Sequence, residues 1–386
     1  MSISSHNLVL TFGAAFLGVV VFSVFLASYP LLAVYQAISV VLLAVAALVI
    51  SRLISNKNIS IGFIFKIIIF LGVLESALAA VQFYFQKSIG LNIFGEPQIS
   101  VAMTGVAKVL IEGIPLLRSY GTFPHPNILG GFLFVCLGGI YHLWPKVKSF
   151  SDWLVYAISF LFTLIGLILT FSRSAWLAFI FLTIFFFVYL FKKYRNKFIE
   201  FTVIILAFGL FFLASLGWAI FPRASFSLGE PAVKQRIDYA KISLDIIKIA
   251  PLGVGVGNQV LVAVEEGFYQ NVGLKEVWGW QPIHNIYLLI LAELGIIGLL
   301  IFILFIFSVF RAGGFNLISG IFAGLLIIGL FDHYLWTLLP GQLMFWLVVG
   351  LMIGQSPLSS TDRISPSEGG DAGSIPAEGT KIKNSL

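Results

Sequence analysis

The sequence predicts an all-α polytopic membrane protein, and two observations carry that prediction. Of the 386 residues, 59% are hydrophobic and 10% are charged, and the mean hydropathy is +1.02. Soluble domains lie far from these values. The hydrophobic residues also fall into runs of the length that crosses a bilayer, where a helix satisfies its own backbone polar groups.

Ten apolar runs come close to or exceed the length of about 20 residues that a transmembrane helix requires. They cover residues 8–27, 31–50, 61–85, 128–144, 153–171, 174–191, 198–221, 285–310, 315–333 and 340–354. The first run follows a segment without Lys or Arg, so we expect it to be retained rather than cleaved as a signal peptide. Cys136 lies inside the fourth run, where we expect it to pack against its neighbours.

The basic residues of the short connections predict the orientation, because Lys and Arg are retained on the cytoplasmic side. Alternate connections hold nearly all of them, namely Arg52, Lys57, Lys146, Lys148, Lys192, Lys193, Arg195, Lys197 and Arg311. Both termini are therefore predicted to be cytoplasmic, and the long connections 86–127 and 222–284 extracytoplasmic. Residues 1–354 form the predicted membrane domain, and residues 355–386 a predicted disordered cytoplasmic tail rich in Ser, Gly and Pro.

The connection 86–127 ends in a polar motif, Arg118-Ser-Tyr-Gly-Thr-Phe-Pro-His125-Pro-Asn127. The two prolines that flank His125 indicate a rigid turn at the membrane surface. In one interpretation, Arg118 or His125 contacts an anion or a hydroxyl group of a substrate. In the other, the segment is only a helix start, capped by Asn127. The sequence leaves both open.

Arg173 lies between the fifth and sixth runs, in the motif Ser172-Arg173-Ser174. Both runs are only just long enough to cross, so the arginine is predicted at the edge of the hydrocarbon. Such an arginine either extends its charge to water or binds an anion. The flanking hydroxyl groups and the start of the next helix favour an anion.

The connection 222–284 contains Arg223 and Arg236 and one predicted amphipathic helix. Its charged face holds Lys234, Asp238, Lys241, Asp245 and Lys248, and its apolar face Ile237, Ala240, Leu244 and Ile247. We expect this helix to lie on the membrane surface, with Arg236 beside the apolar face and able to point into the bundle. The glycines of residues 253–258 match no nucleotide-binding spacing and predict a flexible joint or a backbone nest.

His284 and Asn285 begin the eighth run, and Glu293 follows nine residues later. That spacing places Glu293 on the opposite side of a helix, so it cannot orient His284 directly. Glu293 and Glu75 are either functional or bonded to a neighbouring helix. Gly295 and Gly298 indicate close helix packing.

A metal site would have to combine residues from separate segments, His125, His284, Asp332 and His333. Their spacing matches no standard ligand pattern, so we expect no metal. Arginines and a histidine outside the cytoplasm fit another chemistry better. Guanidinium groups stabilise a leaving pyrophosphate, and an imidazole removes the proton of an acceptor hydroxyl group. The predicted donor is a lipid-linked sugar pyrophosphate.

The polar motifs resemble the O-antigen ligase family, which also includes O-antigen polymerases and bacterial protein O-oligosaccharyltransferases. The matching segments are Gly121-Thr-Phe-x-His-Pro-Asn127, Ser172-Arg-Ser174, Arg236 with Pro251-Leu-Gly-Val-Gly255, and His284-Asn-x-Tyr287 with Glu293-x-Gly-x-x-Gly298. The resemblance implies a metal-independent, inverting membrane glycosyltransferase of GT-C-like architecture without a cofactor. It also implies an undecaprenyl-pyrophosphate-linked glycan as donor, and a glycan, lipid A-core or protein as acceptor.

The resemblance implies roles for individual residues. Arg173 and Arg236 match the pyrophosphate-binding arginines, and His284 matches the essential histidine. Further candidates for substrate binding are Arg118, His125, Asn127, Arg223 and Asn285. Two alternatives stay open, a polysaccharide polymerase of the same family and a transporter or flippase for the lipid-linked glycan.

Overall fold

The computed structural model describes residues 5–224 and 231–355 of the chain. Its helices are α1 Ser5–Phe22, α2 Pro30–Ser55, α3 Ile61–Phe85, α4 Pro126–Leu143, α5 Phe150–Leu169, α6 Arg173–Lys193, α7 Arg195–Ala224, α8 Pro231–Ile249, α9 Gln259–Glu265, α10 Phe268–Asn271, α11 Ile286–Gly313, α12 Leu317–Gly329, α13 Tyr334–Thr337 and α14 Leu339–Gly354. The tail predicted for residues 355–386 lies outside the described residues except for Gln355.

A helix lies at each of the ten predicted apolar runs. In the described part of the chain, seven helical segments are long and apolar enough to cross a membrane, and α12 and α14 are shorter apolar helices. Helix α7 occupies the seventh run, and its side chains are described only in part. The predicted all-α polytopic class is thus confirmed, whereas the number of crossings stays a prediction.

The connection 86–127 contains a β-hairpin, to which the sequence analysis assigned no structure. Strand β1, Lys108–Ile111, pairs antiparallel with strand β2, Ile114–Leu117. The backbone N–H of Leu117 donates to Oε1 of Gln86, 2.7 Å away, which ties the hairpin to the end of α3.

Helix α4 is the central helix of the bundle, and it contacts α3, α5, α6 and α12. Most of its side chains are buried. Its glycines permit this close approach: a Cβ atom at Gly138 would lie 2.5 Å from Cγ1 of Ile321. Cys136 is fully buried on this helix, as predicted, and its thiol donates to the carbonyl of Ile68. Because α4 begins directly after His125, the polar motif before it lies at one end of the core.

Helix α8 is the amphipathic helix predicted in the long connection, and it also has a buried face that the sequence analysis missed. Tyr239, Ile242, Ser243 and Ile246 are buried, and the hydroxyl group of Ser243 donates to the carbonyl of Leu288 in α11 at 2.7 Å. The predicted apolar face is a different one, since its Ile237 and Leu244 are about half exposed. Helix α8 therefore packs against the bundle through one face and exposes an apolar one.

Helix α11 is interrupted at Gly295, where φ is +73°. Gly295 does permit close packing, as predicted, but its neighbour is a loop and not a helix: a Cβ atom would lie 2.4 Å from the carbonyl carbon of Leu252. The segment after α8 pairs with the interruption through its backbone, because the N–H groups of Val254 and Gly255 donate to the carbonyls of Ala292 and Glu293. A Cβ atom at Gly253 would lie 2.3 Å from the carbonyl oxygen of Glu293. The glycine-rich segment therefore holds the long connection against α11 at its interruption.

Candidate functional site

Asp332 is the centre of a polar cluster between α12 and α13. It is 4% exposed, and its carboxylate accepts hydrogen bonds from Nδ2 of Asn127 at 2.6 Å and from the backbone N–H of His333 at 3.0 Å. The same carboxylate interacts electrostatically with His125, His284 and His333. Residues far apart in the sequence thus meet around one buried charge.

His284 lies just before α11, between two aromatic rings. Its ring stacks on Tyr239 of α8, with centroids 5.1 Å apart, and meets the ring of His333 edge-on at 4.8 Å. Its Nδ1 atom lies 2.9 Å from the carbonyl oxygen of Pro282. Since a carbonyl can only accept, Nδ1 carries the proton in the neutral imidazole, and Nε2 keeps its lone pair.

His125 caps the start of α4, where the sequence analysis had placed Asn127. The imidazole Nδ1 accepts the N–H of Asn127 at 3.1 Å, and Pro126 occupies the first helical position. A proline there has its φ preset for a helix and no N–H to satisfy, so the helix begins earlier than predicted. This frees the Asn127 side chain to bond Asp332.

Two arginines of the cluster are held by backbone carbonyls. Arg118 donates through Nε to the carbonyl of Thr170 at 2.7 Å and through Nη2 to Oδ1 of Asn127 at 2.5 Å. Arg236 on α8 donates through Nε to the carbonyl of Phe331 at 3.2 Å, next to Asp332. Arg236 thus faces the bundle at the end of α12, in the direction that the sequence allowed.

Arg173 is the first residue of α6. It follows the turn that contains Thr170, whose backbone carbonyl accepts the hydrogen bond from Arg118. It is half-buried, and the turn packs closely on α4, because a Cβ atom at Gly130 would lie 3.1 Å from Cβ of Ser172. Arg223 lies near the end of α7, and its side chain is outside the described part of the chain. Asn285 caps α11: its Oδ1 accepts the N–H groups of Tyr287 and Leu288, and its Nδ2 donates to the carbonyl of Leu330.

Burial determines the charge state of the three histidines. It lowers the pKa of His125 to about 4, with a smaller effect of Arg118, and that of His333 to about 3, with a smaller effect of His284. It also lowers the pKa of His284, although Asp332 and the Pro282 carbonyl act in the opposite direction. Burial alone would raise the pKa of Asp332, but the three imidazoles and the Asn127 amide hold it below its usual value. At neutral pH the cluster therefore contains a carboxylate, neutral imidazoles and guanidinium groups.

The family model described as O-antigen ligase matches residues 158–303. The match covers less than half of the chain, and over that part the sequence is similar to O-antigen ligases. No curated protein matches the chain. The match includes Arg173, Arg236 and His284, and it supports glycan transfer of the ligase or polymerase type by a membrane glycosyltransferase. His125, Asn127 and Asp332 lie outside the matched range, and the fold joins them to it.

Glu75, which the sequence analysis left as either functional or bonded to a neighbouring helix, supports the turn that precedes His125. Its carboxylate accepts the N–H of Thr122 at 2.9 Å and the Thr122 hydroxyl group at 2.5 Å. Gln82, two turns further along α3, bonds both the N–H and the carbonyl of Gly121. The partner of Glu75 is thus a loop, not a neighbouring helix, and α3 shapes the turn that precedes His125.

Glu293 connects the interrupted helix α11 to α13. It is 2% exposed, and its Oε2 accepts the indole N–H of Trp336 at 2.7 Å. Glu293 thus bonds Trp336 and not His284, as their separation of nine residues along the helix predicted. Because α13 follows directly after His333, the bond to Trp336 fixes the element next to the histidine cluster.

Asp332 and His333 are the site residues that the sequence analysis missed, since it named them only as part of an alternative metal site. Within residues 5–224 and 231–355, no group of three or more His, Cys, Asp or Glu is arranged to hold a metal ion. The available signal was an aspartate and a histidine at the end of the ninth apolar run, on the predicted extracytoplasmic face.

Proposed function

We propose that this protein transfers a glycan from an undecaprenyl-pyrophosphate carrier to an acceptor hydroxyl group at the outer face of the plasma membrane. The observation that carries the proposal is the cluster of His284 before α11, Asp332 before α13 and Arg236 on α8. It combines a proton acceptor with groups suited to a leaving pyrophosphate. The match to the O-antigen ligase family supports glycan transfer as the reaction class.

His284 is the proposed general base. Its Nε2 lone pair takes the proton of the acceptor hydroxyl group as the acceptor oxygen forms a bond to the anomeric carbon of the donor sugar. The bond between that carbon and the pyrophosphate oxygen breaks in the same displacement, which inverts the anomeric configuration. The Pro282 carbonyl keeps the proton on Nδ1, so the imidazole presents its basic nitrogen without a change of tautomer.

Arg173 and Arg236 are the proposed ligands of the pyrophosphate. Guanidinium groups bind phosphate oxygens in pairs, and their charge balances the negative charge that develops on the leaving group. Helices α4 and α11 both begin here, and the N-terminal end of a helix carries a partial positive charge. These groups together supply the role that a metal ion plays in other pyrophosphate-releasing enzymes, so we propose a metal-independent reaction.

The experiment uses purified protein, a lipid-pyrophosphate-linked oligosaccharide and an acceptor with a free hydroxyl group. We expect His284→Ala to lower the rate by about 10²–10⁴-fold, as for loss of a general base. We expect Arg236→Ala to lower it by about 10²–10³-fold, as for loss of a group that stabilises developing charge. Lys241→Ala is the matched control, because this exposed residue lies on α8 one turn from Arg236 and pairs with Asp238.

Full rates in both site variants, at normal protein levels, would refute the assignment. Retained wild-type activity in EDTA supports the metal-independent reaction, and its loss contradicts it. The glycan profile of a deletion strain separates the two family branches, since a ligase loses chain attachment and a polymerase leaves single repeat units.

A further inference from the structure

A polar cavity of about 530 Å³ lies at the opposite end of the bundle from the histidine cluster. It is formed by the starts of α3 and α5 and the end of α4, and its polar lining comes from Ser60, Lys66, Lys146, Asp152 and Tyr156. The 21 residues of the helical segment Pro126–Lys146, which begins with α4, span on the order of 30 Å, which is about the thickness of the hydrocarbon core. The cavity is therefore independent of the proposed transfer site.

The two lysines outnumber the one carboxylate of this cavity, Asp152, and give it a net positive charge. Lys146 donates from Nζ to Nε2 of His142 at 3.0 Å, and a neutral imidazole does not neutralise an ammonium group. The ion pairs formed among the described residues join neither Lys66 nor Lys146 to a carboxylate. Lys66 also lies within the apolar helix α3, where a charged side chain is costly unless it reaches water or an anionic group.

The surroundings of the cavity are suited to a molecule with acyl chains. Phe63, Leu143 and Val147 form its apolar wall. The adjacent surfaces of α3 and α5 expose further apolar side chains, among them Phe70 and Val155. Acyl chains can lie along these surfaces while a head group occupies the cavity.

We propose that the cavity binds the head group of a glycerophospholipid that carries an ammonium group, with its phosphate between Lys66 and Lys146. The Asp152 carboxylate at the same cavity accepts the ammonium group. The hydroxyl groups of Ser60 and Tyr156 are available to the phosphate oxygens. A primary ammonium donates hydrogen bonds to a carboxylate and a quaternary one does not, so phosphatidylethanolamine should bind better than phosphatidylcholine.

The test is native mass spectrometry of the delipidated full-length protein after addition of phosphatidylethanolamine, phosphatidylglycerol, phosphatidylcholine or inorganic phosphate. We expect the wild type to retain phosphatidylethanolamine, and the double variant Lys66→Gln, Lys146→Gln to retain at least about 10-fold less. Lys148→Gln is the matched control, because this neighbouring lysine does not line the cavity. Asp152→Asn should weaken phosphatidylethanolamine binding and strengthen phosphatidylglycerol binding, since it removes a repulsive charge.

Equal retention by the double variant and the control would overturn the proposal. So would displacement of the lipid by inorganic phosphate at millimolar concentration, because the cavity would then be a site for free anions. A thermal unfolding curve without lipid establishes that the double variant is folded, and Asp152→Asn tests the same site by a gain of binding.

Discussion

Asp332→Asn separates the electrostatic role of the buried carboxylate from its role in packing. The carboxylate uses one oxygen for Asn127 and the other for His333. Asparagine offers only one acceptor oxygen, and Asn127 cannot turn its amide because Arg118 holds its Oδ1. One buried donor is left without a partner, which costs about 1–3 kcal/mol of stability.

The substitution also removes the negative charge that favours protonated His284. For two unit charges at close range in an effective dielectric constant of about 20, Coulomb's law gives about 3 kcal/mol, which is the stabilisation that the imidazolium ion loses. A loss of that size lowers kcat by about 10²-fold, with little change in the KM for the donor. The pKa of His284 is already below its usual value, and Asp332 is a group that raises it, so the variant lowers it further.

The assay is the initial rate of transfer measured as a function of pH. A general base is active when neutral, so activity rises with pH through its pKa. The rising limb should therefore move to lower pH in Asp332→Asn, while the rate at the plateau falls. Asp245→Asn is the control, because this residue pairs with Lys248 on the same helix that carries Arg236. A lower plateau with an unmoved or upward-shifted limb would refute the proposed coupling.

Two further predictions concern the interrupted helix, and thermal unfolding in detergent measures both. Gly295→Ala should destabilise the protein by at least about 1–2 kcal/mol, because alanine disfavours the left-handed region and its Cβ would lie 2.5 Å from the carbonyl oxygen of Pro251. Gly18→Ala is the control: the added Cβ meets no atom within 4 Å, so the unfolding temperature should stay unchanged or rise. Equal unfolding temperatures for the two alanine variants would contradict the role given to Gly295. Glu293→Ala should cost at least about 1–3 kcal/mol, because the Trp336 indole N–H and the backbone N–H groups of Gly257 and Gln259 lose their acceptor. Glu293→Gln retains one acceptor oxygen and should recover part of that loss. A Gln variant as unstable as the Ala variant would count against the hydrogen bond.

The sequence was sufficient for the long apolar helices, because a helix lies at each of the ten apolar runs, and for the amphipathic helix α8. It also indicated that Arg236 can point into the bundle. It did not predict the short helices α9, α10 and α13. It could not show that Asn127 reaches Asp332, since that contact joins segments 205 residues apart and depends on where α4 begins. The sequence also could not show the interruption of α11 at Gly295. That interruption depends on a distant segment, because the N–H groups of Val254 and Gly255 bond the carbonyls of Ala292 and Glu293.

Hydrogen bonds join Thr170, Arg118, Asn127 and Asp332 in one series, and this series can be completed only late in biosynthesis. A chain enters the membrane from its N-terminus, so Arg118 and Asn127 are inserted long before the carboxylate that completes the series has been translated. Until α12 and α13 arrive, Asn127 lacks this partner and His284 lacks the charge beside it. A nascent or truncated chain should therefore carry an incomplete site, and competence for chemistry should arise only when the last helices have joined the bundle.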